Sequence, residues 1–169
     1  MLFRILHIGI LTIISQTSLY AQQLLLEKYE SIINESKKHN EEIAALYYKE
    51  IPVALIISLN RSSLDYAKYY MFQNSVCISE TIFYPTSEYS KRLQYYRGLY
   101  GDPIVANSIN NWIENGLQIT LTVAYSKTHG KEICQINYAY VSSQEKLKDI
   151  MGKMQTPYIK MVTIKTNLK

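Results

Sequence analysis

Residues 110–125 read NNWIENGLQITLTVAY, and how this stretch is read decides the fold. Asn115-Gly116 separates two strand-like runs. Both central residues of a type I′ turn need positive φ, which asparagine and glycine accept at little cost. After the turn Leu117, Ile119, Leu121, Val123 and Tyr125 alternate with Gln118, Thr120, Thr122 and Ala124. A period of two makes a strand with one dry face and one wet face. Past a turn near Gly130, the alternation returns at Cys134, Ile136, Tyr138 and Tyr140. An antiparallel three-stranded meander is expected.

Upstream the period changes. In YPTSEYSKRLQYYRGLYG, residues 84–101, Tyr89, Leu93, Tyr96 and Tyr100 fall at intervals of four, three and four. That is one stripe of a helix, suited to gluing it onto a sheet. Thr86 is placed to cap it, Glu88 suits its first turn, and Gly98 and Gly101-Asp102-Pro103 stop it. Residues 66–72 and 76–84 read as a hairpin around Gln73-Asn74-Ser75. On its second arm Val76, Ile78, Ile82 and Tyr84 share one face, and Cys77, Ser79, Thr81 and Phe83 the other.

VALIISL, residues 53–59, is short, apolar and bounded by Pro52, which favours a buried strand over a helical continuation. Leu24 to Tyr48 shows apolar spacings of three and four, which predict a helix with a break near His39-Asn40. Pro52 ends whatever helix precedes it. Ser142-Ser143-Gln144-Glu145 matches a capping box and predicts a short helix through about Met151, closed by Gly152. TPYIKMVTI, residues 156–164, either adds an edge strand or stays unpaired. The expected fold class is α+β: a hairpin plus a three-stranded meander, packed by a central helix, with an N-terminal helix and a short C-terminal helix.

The N-terminus, MLFRILHIGILTIISQTSLYAQQ, has the layout of a secretory signal, with cleavage expected after Ala21. Its apolar run, Ile5 to Ile14, is shorter than the roughly 17–25 residues a helix needs to cross a bilayer. Residues 22–169 then form one domain without an integral membrane span, and the expected location is periplasmic or secreted. Losing Arg4 leaves 18 − 1 = 17 basic against 14 acidic groups, a net of +3. From Lys146 to Lys169 there are six lysines and one acid, Asp149, whereas residues 22–145 carry 11 basic and 13 acidic groups. The lysines are scattered and lack arginine clusters, so the basic end reads as a solubilising tail and nucleic acid is not an expected partner.

Two cysteines, Cys77 and Cys134, would travel to an oxidising compartment. They either bridge, closing a long loop, or stay as two small buried thiols.

Catalytic groups are sparse. His39 and His129 lie at no ligand spacing from another histidine or cysteine, so no metal and no cofactor are expected. No H-E-x-x-H, P-loop, G-x-S-x-G or dinucleotide glycine pattern occurs. Ser143 to Lys146 fits S-x-x-K formally, but the helix cap accounts for it. Cys134 with His129 would be a thiol and its base, yet the thiol falls on the dry face of its strand. Glu80 lies among apolar residues, either as a buried carboxylate with a raised pKa or reaching out from a sheet edge. Asn34-Glu35-Ser36 and Asn60-Arg61-Ser62 are glycosylation sequons, relevant only in a eukaryotic host.

The chain holds 16 tyrosines, including the adjacent pairs Tyr47-Tyr48, Tyr69-Tyr70 and Tyr95-Tyr96. Neighbours on a strand face opposite sides, so Tyr69 and Tyr70 cannot both enter one core. On a helix they diverge by about 100°, which leaves Tyr95 at the margin of the stripe that Tyr96 occupies. Most tyrosines therefore read as packing, and the remainder as contact surface, with Tyr70, Tyr95 and Glu80 as candidate binding residues.

Tyr70-Met71-Phe72 before Cys77, Tyr84-Pro85 before a helix, then Tyr100-Gly101-Asp102-Pro103, Trp112 and the meander form a recognisable order. Over about residues 66–141 it resembles small uncharacterised exported proteins of Gram-negative bacteria, whose signals often end in a step like Tyr20-Ala21-Gln22. The resemblance implies a periplasmic or secreted α+β domain and carries over no functional residue. The expected function is a non-enzymatic exported domain that binds a protein partner or an envelope glycan. The alternatives are an envelope-polymer hydrolase using carboxylates such as Glu80 or Asp102, and a structural or assembly accessory.

Overall fold

Among the described residues four two-residue turns carry positive φ at both positions: Lys49-Glu50, Asn74-Ser75, Asn107-Ser108 and Asn115-Gly116. Each closes an antiparallel hairpin, as the type I′ geometry requires. The computed structural model describes residues 24–39, 41–58, 66–127 and 130–165. The expected signal at 1–21, Asn40, the sequon at Asn60 and His129 lie outside the described residues.

The strands are β1 Glu42–Tyr48, β2 Ile51–Ser58, β3 Lys68–Gln73, β4 Val76–Pro85, β5 Ile104–Ala106, β6 Ile109–Glu114, β7 Leu117–Ser126, β8 Lys131–Tyr140 and β9 Ile159–Ile164. They form one open antiparallel sheet in the order β5-β6-β7-β8-β4-β3-β2-β1-β9. Among the described residues three α-helices accompany it: α1 Tyr29–Lys38, α2 Tyr89–Tyr100 and α3 Gln144–Met154. The class is α+β. The expected hairpin and meander both exist, and pairing of β4 with β8, with Thr81 opposite Asn137, fuses them into one sheet. There the Asn137 amide donates to the hydroxyls of Ser79 (2.8 Å) and Thr81 (2.9 Å).

One face is covered by α1 and α2. Tyr29, Ile32 and Ile33 of α1 and Tyr96 of α2 share a core with Ile43, Leu55, Phe72, Trp112, Leu121 and Ile136. Leu93, Tyr89 and Tyr100 pack against the same core, so the tyrosine stripe does fasten α2 to the sheet. Tyr96 packs on Trp112 at 5.5 Å between ring centroids, and such pairs add about 0.5–1.5 kcal/mol beyond burial. The Trp112 indole donates to the Gly101 carbonyl at 2.9 Å, tying the strand to the helix end. The opposite face carries α3, whose Leu147 and Ile150 pack with Leu46, Ala54, Ile78 and Ala139.

Several expectations need correction. The predicted helix over 24–48 stops at Lys38, and residues 42–48 are β1. β1 lies between β2 and β9, with Ile43 and Ala45 buried on one face and Ala44 and Leu46 on the other. A strand covered on both faces loses its alternation and imitates helical spacing. Pro52 therefore ends no helix. It sits inside β2 opposite Tyr47, where the register shifts and leaves Val53 as an extra residue, a bulge position that tolerates proline. The 3₁₀ turn Thr86–Glu88 precedes α2, and the Thr86 hydroxyl donates to the Glu132 carbonyl at 2.8 Å instead of capping. Gly98 lies inside α2, and Gly101, at φ 78°, ends it. α3 likewise runs through Gly152 to Met154.

The faces of β4 also differ from the simple alternation. Met71 pairs with Ser79 and Phe72 with Cys77, so Ile78 is an extra residue on β4. This bulge reverses the parity of the strand beyond it. Cys77, Glu80, Ile82 and Tyr84 turn toward α1 and α2, while Ile78 packs beneath α3.

The disulfide does not form: Cys77 and Cys134 are both free and buried. Cys134 pairs with Tyr84, seven positions along β4 from Cys77. At a rise of about 3.3 Å per residue the two are roughly 20 Å apart, far beyond bridging distance.

Candidate functional site

The bulge in β4 creates an unusual interior. Glu80 stands between Tyr70 on β3 and Tyr138 on β8, and all three are at most 3% exposed. The Tyr70 hydroxyl donates to the Glu80 carboxylate, while Oε2 of Glu80 has no partner. Burial pushes the Glu80 carboxyl up to about 7, against the opposing pull of the Tyr70 hydrogen bond and of Lys68. β4 is a central strand, so Glu80 does not reach out from an edge.

Other phenols under the two helices find partners among themselves. The hydroxyls of Tyr96 and Tyr138 hydrogen-bond to each other, and those of Tyr29 and Tyr47 do so at 2.7 Å. The Asn110 amide donates to the Tyr89 hydroxyl at 2.8 Å. Burial raises the pKa of Tyr70, Tyr96 and Tyr138, so these phenols stay protonated. Burial likewise lifts the Cys77 thiol, and the Cys134 thiol to about 11, which leaves neither a nucleophile near neutrality.

Of the three candidate binding residues, Tyr70 and Glu80 are brought together and Tyr95 is not. Tyr95 lies half-buried on α2, edge-on to Tyr96 with centroids 5.2 Å apart. Beside Tyr70 a cleft of about 380 Å³ opens, lined by Leu24, Ile32, Glu35, Ser36, His39, Glu41 and Lys68. Its Glu35 already pairs with Lys38 at 2.8 Å and His39 at 3.2 Å. Asp102 is elsewhere, exposed and 3.2 Å from Arg97. Among the described residues no three His, Cys, Asp or Glu side chains converge on a metal-binding point.

A second region is built from residues that sequence reasoning passed over. Tyr48 on β1 lies opposite Ile51 on β2 and Ile159 on β9, and Met161 follows two positions along the same face of β9. Tyr158 sets its ring edge-on to Tyr48, at 6.3 Å and 85°. Lys49 places its ammonium 5.4 Å and 5.2 Å from these two rings, and Lys153 of α3 lies 6.0 Å above Tyr48. Ile51, Tyr158 and Met161 are 56%, 61% and 63% exposed. The patch joins the first hairpin turn, the C-terminal end of α3 and the outer strand, three segments distant in sequence. Its only early signal was the alternative that 156–164 forms an edge strand, which the structure realises as β9.

No family model matches this chain, and no curated protein or solved structure matches it.

Proposed function

We propose that this chain is an exported, non-enzymatic binding domain that engages a protein partner through the patch around Tyr48 and Tyr158. The observation that carries the reading is the exposed group Ile51, Tyr158 and Met161, held on a stiff sheet and rimmed by Lys49 and Lys153. Aromatic and methionine side chains are enriched at protein interfaces, and a contiguous exposed apolar patch marks such sites. A glycan is served less well: the two rings meet at 85° and offer no flat platform, and aliphatic groups flank them. A glycoside hydrolase needs two carboxyls facing one cleft, roughly 5–9.5 Å apart. Glu80 is buried beside phenols, and Asp102 is exposed in an ion pair at the end of α2.

Site-specific photo-crosslinking in the native envelope tests this. A photoreactive residue at position 158 or 161 is expected to yield one dominant protein adduct. The same residue at Tyr125, equally exposed but on β7, should not. Equal adducts at all three positions, or none at 158 and 161, would overturn the proposal.

A further inference from the structure

β9 closes one end of the sheet and pairs with β1 alone among the described residues. From Ile159 to Val162, alternate backbone amides and carbonyls point outward, the pattern on which another strand assembles. Natural edges are usually shortened, bulged, covered, interrupted by proline or charged, often with lysine. Among the described residues β9 has only the last of these devices, Lys160: it contains no proline, and its pairing with β1 runs without a register shift from Ile159 to Ile164. Each face of the strand carries an exposed apolar side chain. Met161 is exposed on the face of the Tyr48–Tyr158 patch, and Val162 on the other.

Charge selects the occupant. From Met151 to Lys169 there are four lysines and no acidic residue, with Lys160 inside β9 and Lys165 just after it. Two copies joined through β9 would line up these lysines along one seam. An acidic strand would face them with opposite charge, the favourable cross-strand pairing. We infer that β9 is a docking edge for an extended acidic segment of another protein, which adds as a tenth strand and lays an apolar side chain against the Tyr158–Met161 patch. This is the strand-addition mode of recognition: the main chain supplies affinity, and pockets for alternate side chains supply specificity. The inference rests on the binding reading above and names the chemistry of its partner.

The probes are three synthetic ten-residue peptides: valine alternating with glutamate, valine alternating with lysine, and the glutamate peptide with two central prolines. Binding to the mature chain is read by fluorescence anisotropy, and the docking position by amide hydrogen exchange. The glutamate peptide is expected to bind at least tenfold more tightly than the lysine peptide and to slow exchange within β9. The proline peptide, unable to extend the ladder, should not bind. Lys160→Glu with Lys165→Glu, two surface changes, should reverse the preference between the two charged peptides. An unchanged preference in that variant, or protection appearing on β5 instead of β9, would overturn the inference. So would a dimer of the peptide-free chain that the double variant dissociates, since a second copy would then own the edge. If photo-crosslinking at Tyr158 captures a partner while no peptide binds, strand addition fails and the binding reading stands.

Discussion

Tyr96 and Tyr158 belong to the same residue type and live in opposite conditions. Tyr96 is 3% exposed, with its hydroxyl bonded to Tyr138 and its ring against Trp112; Tyr158 is 61% exposed and touches Tyr48 and a lysine. A phenol under a helix brings a polar atom that must be satisfied indoors, which is why Tyr96 bonds to Tyr138, Tyr29 to Tyr47 and Tyr70 to Glu80. A phenol at the sheet edge leaves that atom in water and keeps its ring accessible. One residue type thus serves two ends, and the covering helix decides which.

The contrast breaks most visibly in the interior. Trp112→Ala removes the ring on which Tyr96 packs and should cost about 3–5 kcal/mol in urea unfolding. That is a large fraction of the roughly 5–15 kcal/mol such a domain possesses. A loss below about 1 kcal/mol would show that α2 is not fastened where the structure puts it.

Glu80 sharpens the same contrast through pH. Its folded carboxyl titrates near 7 against an ordinary 4.5. Between those values the folded state holds more protons than the unfolded one, so stability falls as pH rises from about 4.5 to about 7 and stays reduced above it. The span corresponds to roughly 3 kcal/mol. Glu80→Gln should flatten this slope and unfold later than the parent chain at pH 8. A slope unchanged in the variant would place the titration elsewhere.

Smaller again is Tyr96→Phe, which keeps the ring and strands the Tyr138 hydroxyl; about 1–3 kcal/mol should be lost. At the edge, Tyr158→Ala with Met161→Ser should shift stability by no more than about 0.5 kcal/mol each, as for exposed sites.

The local pattern made much of this legible. The alternation of residues 117–121, Asn115-Gly116 and the tyrosine stripe of α2 each depend on near neighbours, and each appears as read, whereas Tyr125, expected on the dry face, is 64% exposed at the far end of β7. What escaped depends on distant pairing. β1 looked helical because β2 and β9 enclose it and helices cover both its faces. The bulge at Ile78 comes from the register between β3 and β4, and it sends Ile78 beneath α3 while Glu80 stays with Ile82 and Tyr84 on the face toward α1 and α2. The β4–β8 register, not the compartment, holds Cys77 and Cys134 apart. Tyr70 and Glu80 were singled out separately, yet only the fold shows that they share a hydrogen bond. The Tyr48–Tyr158 patch joins segments more than a hundred residues apart in sequence, beyond the reach of any periodicity.

The division between glue and contact surface is tested most directly by two variants in one experiment. Tyr96→Phe and the double variant Tyr158→Ala, Met161→Ser are each assayed for urea midpoint and for binding of the alternating valine-glutamate peptide. Tyr96→Phe should lower the midpoint and leave binding intact, and the double variant should do the reverse. If the edge variant instead unfolds early while still holding the peptide, the outer tyrosine is mortar and the account is wrong.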